Sequence, residues 1–245
     1  MNGRAHALLR LFAVQGAWNY ERMLGVGIGY AAEPLLEDLK VADPVRHSEA
    51  VVRSAEFFNC NPNLAGLALG ATVRAEYDAA PGAQVARLRA ALCSPLGALG
   101  DQLFWAGLLP ALVGAALAAL ALGAGGRAVV GFLVVYNLIR VWVAVWALKT
   151  GLAAGMGVGS AIGASWIPRA VPRVGNAAGL LVGFALPLVA AWYLRPLGTI
   201  RAAAAVSLIA GAGVVAGRLF GARMTGSRFA LLAVALTLLF RLVTR

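Results

Sequence analysis

From residue 102 onward the chain alternates long apolar runs with single basic residues. Residues 103–124 hold no charged side chain, and about 20 apolar residues span a hydrocarbon core of about 30 Å. Residues 128–148 form a second run, with Asn137 and Arg140 inside it, and 177–194, 202–220 and 229–243 give a third, a fourth and a short fifth. The pattern predicts an all-α integral membrane protein with about five transmembrane helices. The basic residues punctuate nearly every gap, so they set no clear orientation.

Residues 1–101 follow a different rhythm, with shorter apolar stretches, more charge and more turns. Asp43-Pro44 is a helix start, Asp as N-cap and Pro at the first helical position. After it Arg46, Glu49, Arg53 and Glu56 recur on one face, and Val51, Val52, Ala55 and Phe58 make the opposite stripe. This predicts an amphipathic helix at an interface or against a partner, supported by a Glu49–Arg53 pair. Pro62 is expected to end that helix, and Asn61-Pro62 to cap the next. From Leu64 to about Tyr77 the chain is apolar only through Val73, too short to span and suited to a re-entrant or interfacial segment. A further polar junction covers residues 94–102, where Asp101 either caps the first span or lies near a ligand or interface. The sequence therefore divides into an amphipathic and re-entrant helical region, 1–101, and a transmembrane region, 102–245.

Between the second and third runs Gly151, Gly155, Gly159 and Gly163 recur every fourth residue, and Gly213, Gly217 and Gly221 repeat the spacing. Small residues at this interval form seams where helices approach closely. A dinucleotide-binding loop is the sharper alternative. Gly155-x-Gly157-x-Gly159 misses its spacing, and no acid follows to bind a ribose.

Composition agrees with the pattern. The 245 residues are 61% hydrophobic and 13% charged, against about 25% charged in soluble domains. Mean hydropathy is +0.80. The net charge of +11 is unevenly placed: all ten acids lie between Glu21 and Asp101, and residues 102–245 carry twelve Lys and Arg with no acid. Cations spaced singly between apolar runs do not build a nucleic-acid groove, so no nucleic-acid partner is expected. Arg4 and Arg10 interrupt the first apolar run, which lacks the core of a cleaved leader, so a mature chain starting at Met1 is expected. Two cysteines, Cys60 and Cys93, support neither a disulfide framework nor a zinc site. The sequence shows no HExxH, GxSxG or GxxxxGK[ST] motif, and His6 and His47 sit in exposed amphipathic stretches. No catalytic residue, cofactor or metal is expected.

The polar side chains that remain cluster at helix breaks: Asn19, Glu21 and Arg22; Asn59 and Asn61; and Asp101. Carboxamides and carboxylates suit sugar hydroxyls, and helix breaks are where a polar cavity exists at membrane depth. The other reading is that Asn61 and Asp101 are caps and that Glu21 and Arg22 contact a partner chain.

Three ordered runs resemble one family. Trp18-Asn19-Tyr20-Glu21-Arg22-Met23 is similar to a WN(F/Y)ERMQG segment. Glu56-Phe57-Phe58-Asn59-Cys60-Asn61-Pro62, followed by Ala65-Gly66 and Gly70, resembles an EFFNTNP run with its AG-x-x-LG tail. Ser94-Pro95-Leu96-Gly97 with Gly100-Asp101 and Phe104-Trp105 resembles GPL-x-G-x-GD-x-x-FW, and Asn137 to Arg140 and Lys149 to Gly151 continue the series. The family is the IID component of mannose/fructose/sorbose-type phosphotransferase-system (PTS) permeases. Ser54 stands where its pattern has His, Leu24 where Gln is common, and the connection at 195–201 is short. The resemblance implies a multi-pass subunit of the bacterial inner membrane, without catalysis of its own. It implies pairing with a IIC chain to carry a hexose, cytoplasmic IIA and IIB domains that phosphorylate the sugar, and a higher oligomer of IIC–IID pairs. A regulatory or scaffold subunit that kept the fold but lost transport is the alternative.

Overall fold

The computed structural model describes residues 3–194, with Gly198 and Ala235 besides. The predicted runs at 202–220 and 229–243, the connection at 195–201 and the second glycine series otherwise lie outside the described residues. What is described is helical, without a named strand. Three stretches are long and apolar enough to cross a membrane by length and composition: Gly82–Ala121, Gly126–Ala164 and Ile167–Tyr193.

Helix α1, Arg4–Phe12, buries Ala7 and Leu11 and packs on α2, Gly25–Ala42. Helix α2 buries Ile28, Ala31, Ala32, Leu35, Leu36 and Leu39, the i, i+3, i+4, i+7 recurrence of a helix with one core face. At its end Asp43 closes one helix and opens the next. Its amide donates to the Leu39 carbonyl at 2.8 Å, and its carboxylate accepts the Arg46 amide at 3.0 Å. Helix α3, Pro44–Ser54, thus starts where the Asp-Pro pair predicts.

The faces of α3 follow the expected stripe only in part: Val51 packs against the core and Glu49 is exposed. Val52 is 66% exposed, while Ala50 and Ser54 are buried, and Arg46 and Arg53 turn inward to Glu76. Two arginines with a buried carboxylate to meet outrank a short valine stripe. Nor does α3 run on to Pro62. It stops at Ser54, whose hydroxyl donates to the Val51 carbonyl at 2.8 Å, and Phe58 lies beyond it in extended chain.

A 3₁₀ turn, Pro62–Leu64, leads into α4, Ala65–Tyr77. Eleven of its thirteen residues are buried, so the short apolar segment is the centre of the packing. It lies along α7, Gly126–Ala154. The two backbones touch through glycine: a Cβ on Gly70 would stand 2.5 Å from the Leu152 nitrogen, and one on Gly151 2.4 Å from the Leu67 carbonyl oxygen. The seam therefore pairs Gly66 and Gly70 of one motif run with Gly151.

The series continues the seam only as far as Gly155, where a Cβ would stand 3.0 Å from the Arg74 Cγ of α4, and not to Gly159 or Gly163. Helix α7 ends at Gly155, with φ +50. A 3₁₀ turn, Gly155–Gly157, and a new helix α8, Val158–Ala164, follow. Side chains added at Gly159 or Gly163 would meet nothing within 4 Å.

Helix α5, Gly82–Gly100, passes through Pro95 and across position 101 without a stop. Asp101–Leu108 is a π-helical stretch, and α6, Leu109–Ala121, completes the rod. Helix α9, Ile167–Leu194, packs on α6 and on the π stretch. The long helix runs through the polar junction, so Asp101 makes no cap there.

Candidate functional site

Two of the three motif runs are stitched together by backbone. Asn19 folds its own segment: its side-chain oxygen accepts the amides of Glu21 at 3.1 Å and Arg22 at 2.8 Å, an Asx turn. Met23 takes φ 52, which reverses the chain into α2. The Leu24 amide then donates to the Phe58 carbonyl at 2.9 Å, and the Phe58 amide to the Arg22 carbonyl at 3.3 Å. The segment carrying Asn59 is thus held against the segment carrying Glu21 and Arg22.

Arg89 of α5 fixes this loop from behind. It is 3% exposed. One terminal nitrogen donates to the Glu56 carbonyl at 3.0 Å, and the guanidinium lies 5.2 Å from the Phe58 ring centroid. Its other terminal nitrogen is buried without an acceptor beside a cavity of about 10 Å³ lined by Arg53, Thr72 and Glu76. A cavity of that size holds about one water.

The third run joins through Asn61. Its amide nitrogen donates to the Asp101 carboxylate at 2.9 Å, a contact across 40 residues of sequence. Its oxygen accepts the Asn63 backbone amide and the Asn63 side-chain amide, each at 3.1 Å. Asn61 therefore caps the turn after it and clamps α5 at once. The clamp needs glycine at position 100, where a Cβ would stand 2.2 Å from the Asn61 Cβ. Asn61 is buried, while Asp101 is exposed at the first residue of the π stretch. π-Helical segments recur at functional sites because they re-aim side chains.

The structure thus brings Asn61 and Asp101 into contact and ties the Asn19–Arg22 turn to the Asn59 loop. Among the described residues, no side-chain bond joins Asn19, Glu21 or Arg22 to the Asn61–Asp101 pair. Asn59 and Glu21 are exposed. Aromatic residues flank these positions at the surface: Tyr20 is 83% exposed and Phe57 55%, and Trp18 packs edge-on to Tyr20 with centroids 4.8 Å apart. Trp105, also exposed, follows Asp101 by four residues on the π stretch. Exposed carboxamide, carboxylate and ring faces can take up a hydroxylated ligand, but they lie on an open surface.

Beside the site stands an ion pair that sequence reasoning missed. Glu76 is 4% exposed and is held by the Arg53 fork at 2.8 and 3.3 Å and by Arg46 at 3.1 Å. The bond to Glu76, more than the weaker pull of Glu49, holds the Arg53 guanidinium above its ordinary pKa. The legible signal was position: Glu76 shares the α4 face of Leu69 and Val73, and a carboxylate on an apolar face needs partners. Burial pushes the Cys60 thiol well above the usual range, with smaller contributions from Cys93 and Asp101. No group of three or more His, Cys, Asp or Glu converges as a metal site among the described residues.

Comparison with known proteins places these features. Residues 2–190 match the model of the PTS system mannose/fructose/sorbose family IID component. The chain is 31% identical over 144 residues to the PTS system mannose-specific EIID component of Escherichia coli (strain K12), covering 54% of this chain and 48% of the relative. It is also 31% identical over 132 residues to the fructose permease IID component of Bacillus subtilis (strain 168), covering 51% and 47%. The chain spans about half the length of these curated relatives. A cryo-EM structure of the mannose transporter ManYZ in complex with microcin E492 has a similar chain, with TM-score 0.56, 25% identity, and coverage of 72% of this chain and 66% of that one.

Proposed function

Because the chain belongs to the mannose/fructose/sorbose family of PTS IID components, we propose that it is the IID subunit of a hexose permease. In this reading it pairs with a IIC chain in the bacterial inner membrane, in higher oligomers of IIC–IID pairs. Cytoplasmic IIA and IIB phosphorylate the sugar, and this chain carries no phosphate and performs no catalysis alone. Residues 1–101 then carry most of the motif runs, and the spans begin within them, at Gly82.

The observation that carries the reading is the joining of motif runs from three parts of the chain, through Phe58 and through the Asn61–Asp101 bond. Local folding needs no such convergence. The polar groups it presents, Asn19, Glu21, Arg22, Asn59 and Asp101, are proposed to meet the sugar, with Asn61 placing Asp101. They lie open, and ligand sites bury most of the ligand, so the IIC chain would close the site.

Asn59 and Glu21 are exposed, so replacing them costs little stability. Uptake of labelled hexose by cells carrying Asn59→Ala or Glu21→Gln is expected to fall to background, with the IIC–IID complex recovered in normal amount. Uptake with unchanged affinity in both variants would refute the site assignment. Loss of the complex would assign these residues to assembly instead.

A further inference from the structure

Arg140 stands half-buried on α7, towards α1 and the start of α4. Its guanidinium lies 5.6 Å from the Phe12 ring centroid, and its Nε is buried without an acceptor. A ring face attracts the cation but leaves the in-plane N–H groups unused. No carboxylate answers it directly. No Asp or Glu follows residue 101, and among the described residues none forms an ion pair with Arg140. The cavity beside it measures about 20 Å³ and is also lined by Gln15 and Asn63. That is room for about one water, with polar groups on its walls.

Asn63 is where this cavity meets the candidate site. It is 8% exposed, and its side-chain nitrogen donates to the Asn61 oxygen at 3.1 Å. Its side-chain oxygen is left over, and takes no donor among the described residues. Asn61 in turn donates to the Asp101 carboxylate at 2.9 Å. The two carboxamides thus donate in the same direction, towards the carboxylate. Bonds aligned in this way polarise one another. At the far end of the row stand a buried cationic N–H without an acceptor and an amide oxygen without a donor, on the walls of one small cavity. Leaving such an N–H unmade costs more than leaving a neutral one.

We infer that one water in this cavity accepts the Arg140 Nε–H and donates to the Asn63 side-chain oxygen. It completes a row, Arg140–water–Asn63–Asn61–Asp101, in which Arg140 is a positioning residue for the exposed carboxylate. Gln15, exposed at the rim, offers an acceptor for the second O–H, so the water has three partners. No proton is transferred. The row sets where the Asp101 carboxylate stands and links it to a cation of the second span candidate. The inference rests on the reading of Asp101 as a group that meets the sugar.

The test uses the full chain co-expressed with its IIC chain. A cryo-EM map of that complex is expected to show a water peak about 3 Å from both the Arg140 Nε and the Asn63 oxygen. A dry cavity, in a map that shows other buried waters, would overturn the inference whatever the transport result. Uptake is read in cells with the soluble partners, using whichever of labelled mannose, fructose or sorbose the unmodified complex takes up fastest. Arg140→Met keeps the length and loses the donors. It is expected to raise KM about fivefold, the worth of one hydrogen bond, with maximal rate and recovered complex unchanged. In an Asp101→Asn background the same change is expected to raise KM no further, because residues in one network do not add. Full additivity, or an unchanged KM in Arg140→Met, would overturn the inference and leave the sugar-site reading standing. Asp101→Asn with unchanged KM, or no uptake of any of the three sugars, would overturn that reading instead. In that case, or if Arg140→Met fails to accumulate, the map decides whether the row exists.

Discussion

Glu76 shows how a single residue can carry more than its neighbours suggest. Its carboxylate is 4% exposed between Arg46 and Arg53, and removing one member of such a group leaves buried charge behind. Glu76→Ala is expected to destabilise by about 3–5 kcal/mol, read as a lowered thermal midpoint in detergent. Glu49→Ala should cost less than about 1 kcal/mol, since Glu49 is 63% exposed and 3.8 Å from Arg53. The sequence pointed to Glu49 because it sits four residues away on the same helix. Glu76 lies 23 residues on, in another helix, and no local spacing encodes that distance. Cys60 gives a second test. Its thiol is buried, donates to the Asn61 carbonyl at 3.2 Å and titrates far above neutrality. The thiolate is the reactive form, so maleimide at pH 8 is expected to leave Cys60 unmodified in the folded protein and to modify it after denaturation. Labelling at equal rates in both states would contradict the burial.

At the scale of elements, the seam between α4 and α7 has no slack. Gly70→Val must push the Leu152 backbone aside, and overpacking of this kind costs about 1–3 kcal/mol or more. Its monodisperse fraction on gel filtration is expected to fall severalfold. Gly159→Ala, where nothing lies within 4 Å, is expected to leave that fraction unchanged. Elements were legible where their cause is local. Asp43 with Pro44 and Asn61 with Pro62 start helical turns where the residues say, because a cap is decided within three residues. They were illegible where the cause is distant. Asp101 looked like a cap but faces Asn61 in mid-rod, and α3 turned its arginines inward for a carboxylate on α4. The four-residue glycine repeat broke at Gly155, whose φ of +50 no spacing argument supplies. For the candidate site, the sequence grouped the polar residues by motif, and only the fold showed that Asn61 clamps while Asn59 and Asp101 face outward.

The molecule as a whole is a multi-pass membrane protein whose spans are thinly covered. Only 11% of the most apolar window of each of the second and third span candidates is buried, so most of that surface awaits lipid or protein. Carbonate washing of membranes is expected to leave the chain in the pellet, and its release without detergent would contradict the membrane assignment. Expressed without IIC, the chain is expected to be cut by protease severalfold faster than in the co-expressed pair. Equal resistance would show that it needs no partner. The fold class was readable from hydropathy alone because crossing a bilayer demands unbroken apolar length. Which faces meet each other inside the protein was not, because lipid-facing and helix-facing residues are equally apolar.

The π stretch at Asp101–Leu108 gives the long helix a spacing rule. Each residue of an α-helix turns the rod by about 100°, and a π turn holds one residue more than the α-helical ladder would use. The stretch therefore works as a vernier between the half that meets Asn61 and the half that meets α9, taking up one residue without changing their phase. Deleting Ala106, an exposed position, would let ordinary helix close the gap with its backbone bonds intact and both halves still facing their partners. Such a deletion is expected to leave both the circular-dichroism helix signal and recovery of the complex unchanged. A deletion variant that loses the complex would show that the residue count of the stretch sets the phase of the two halves.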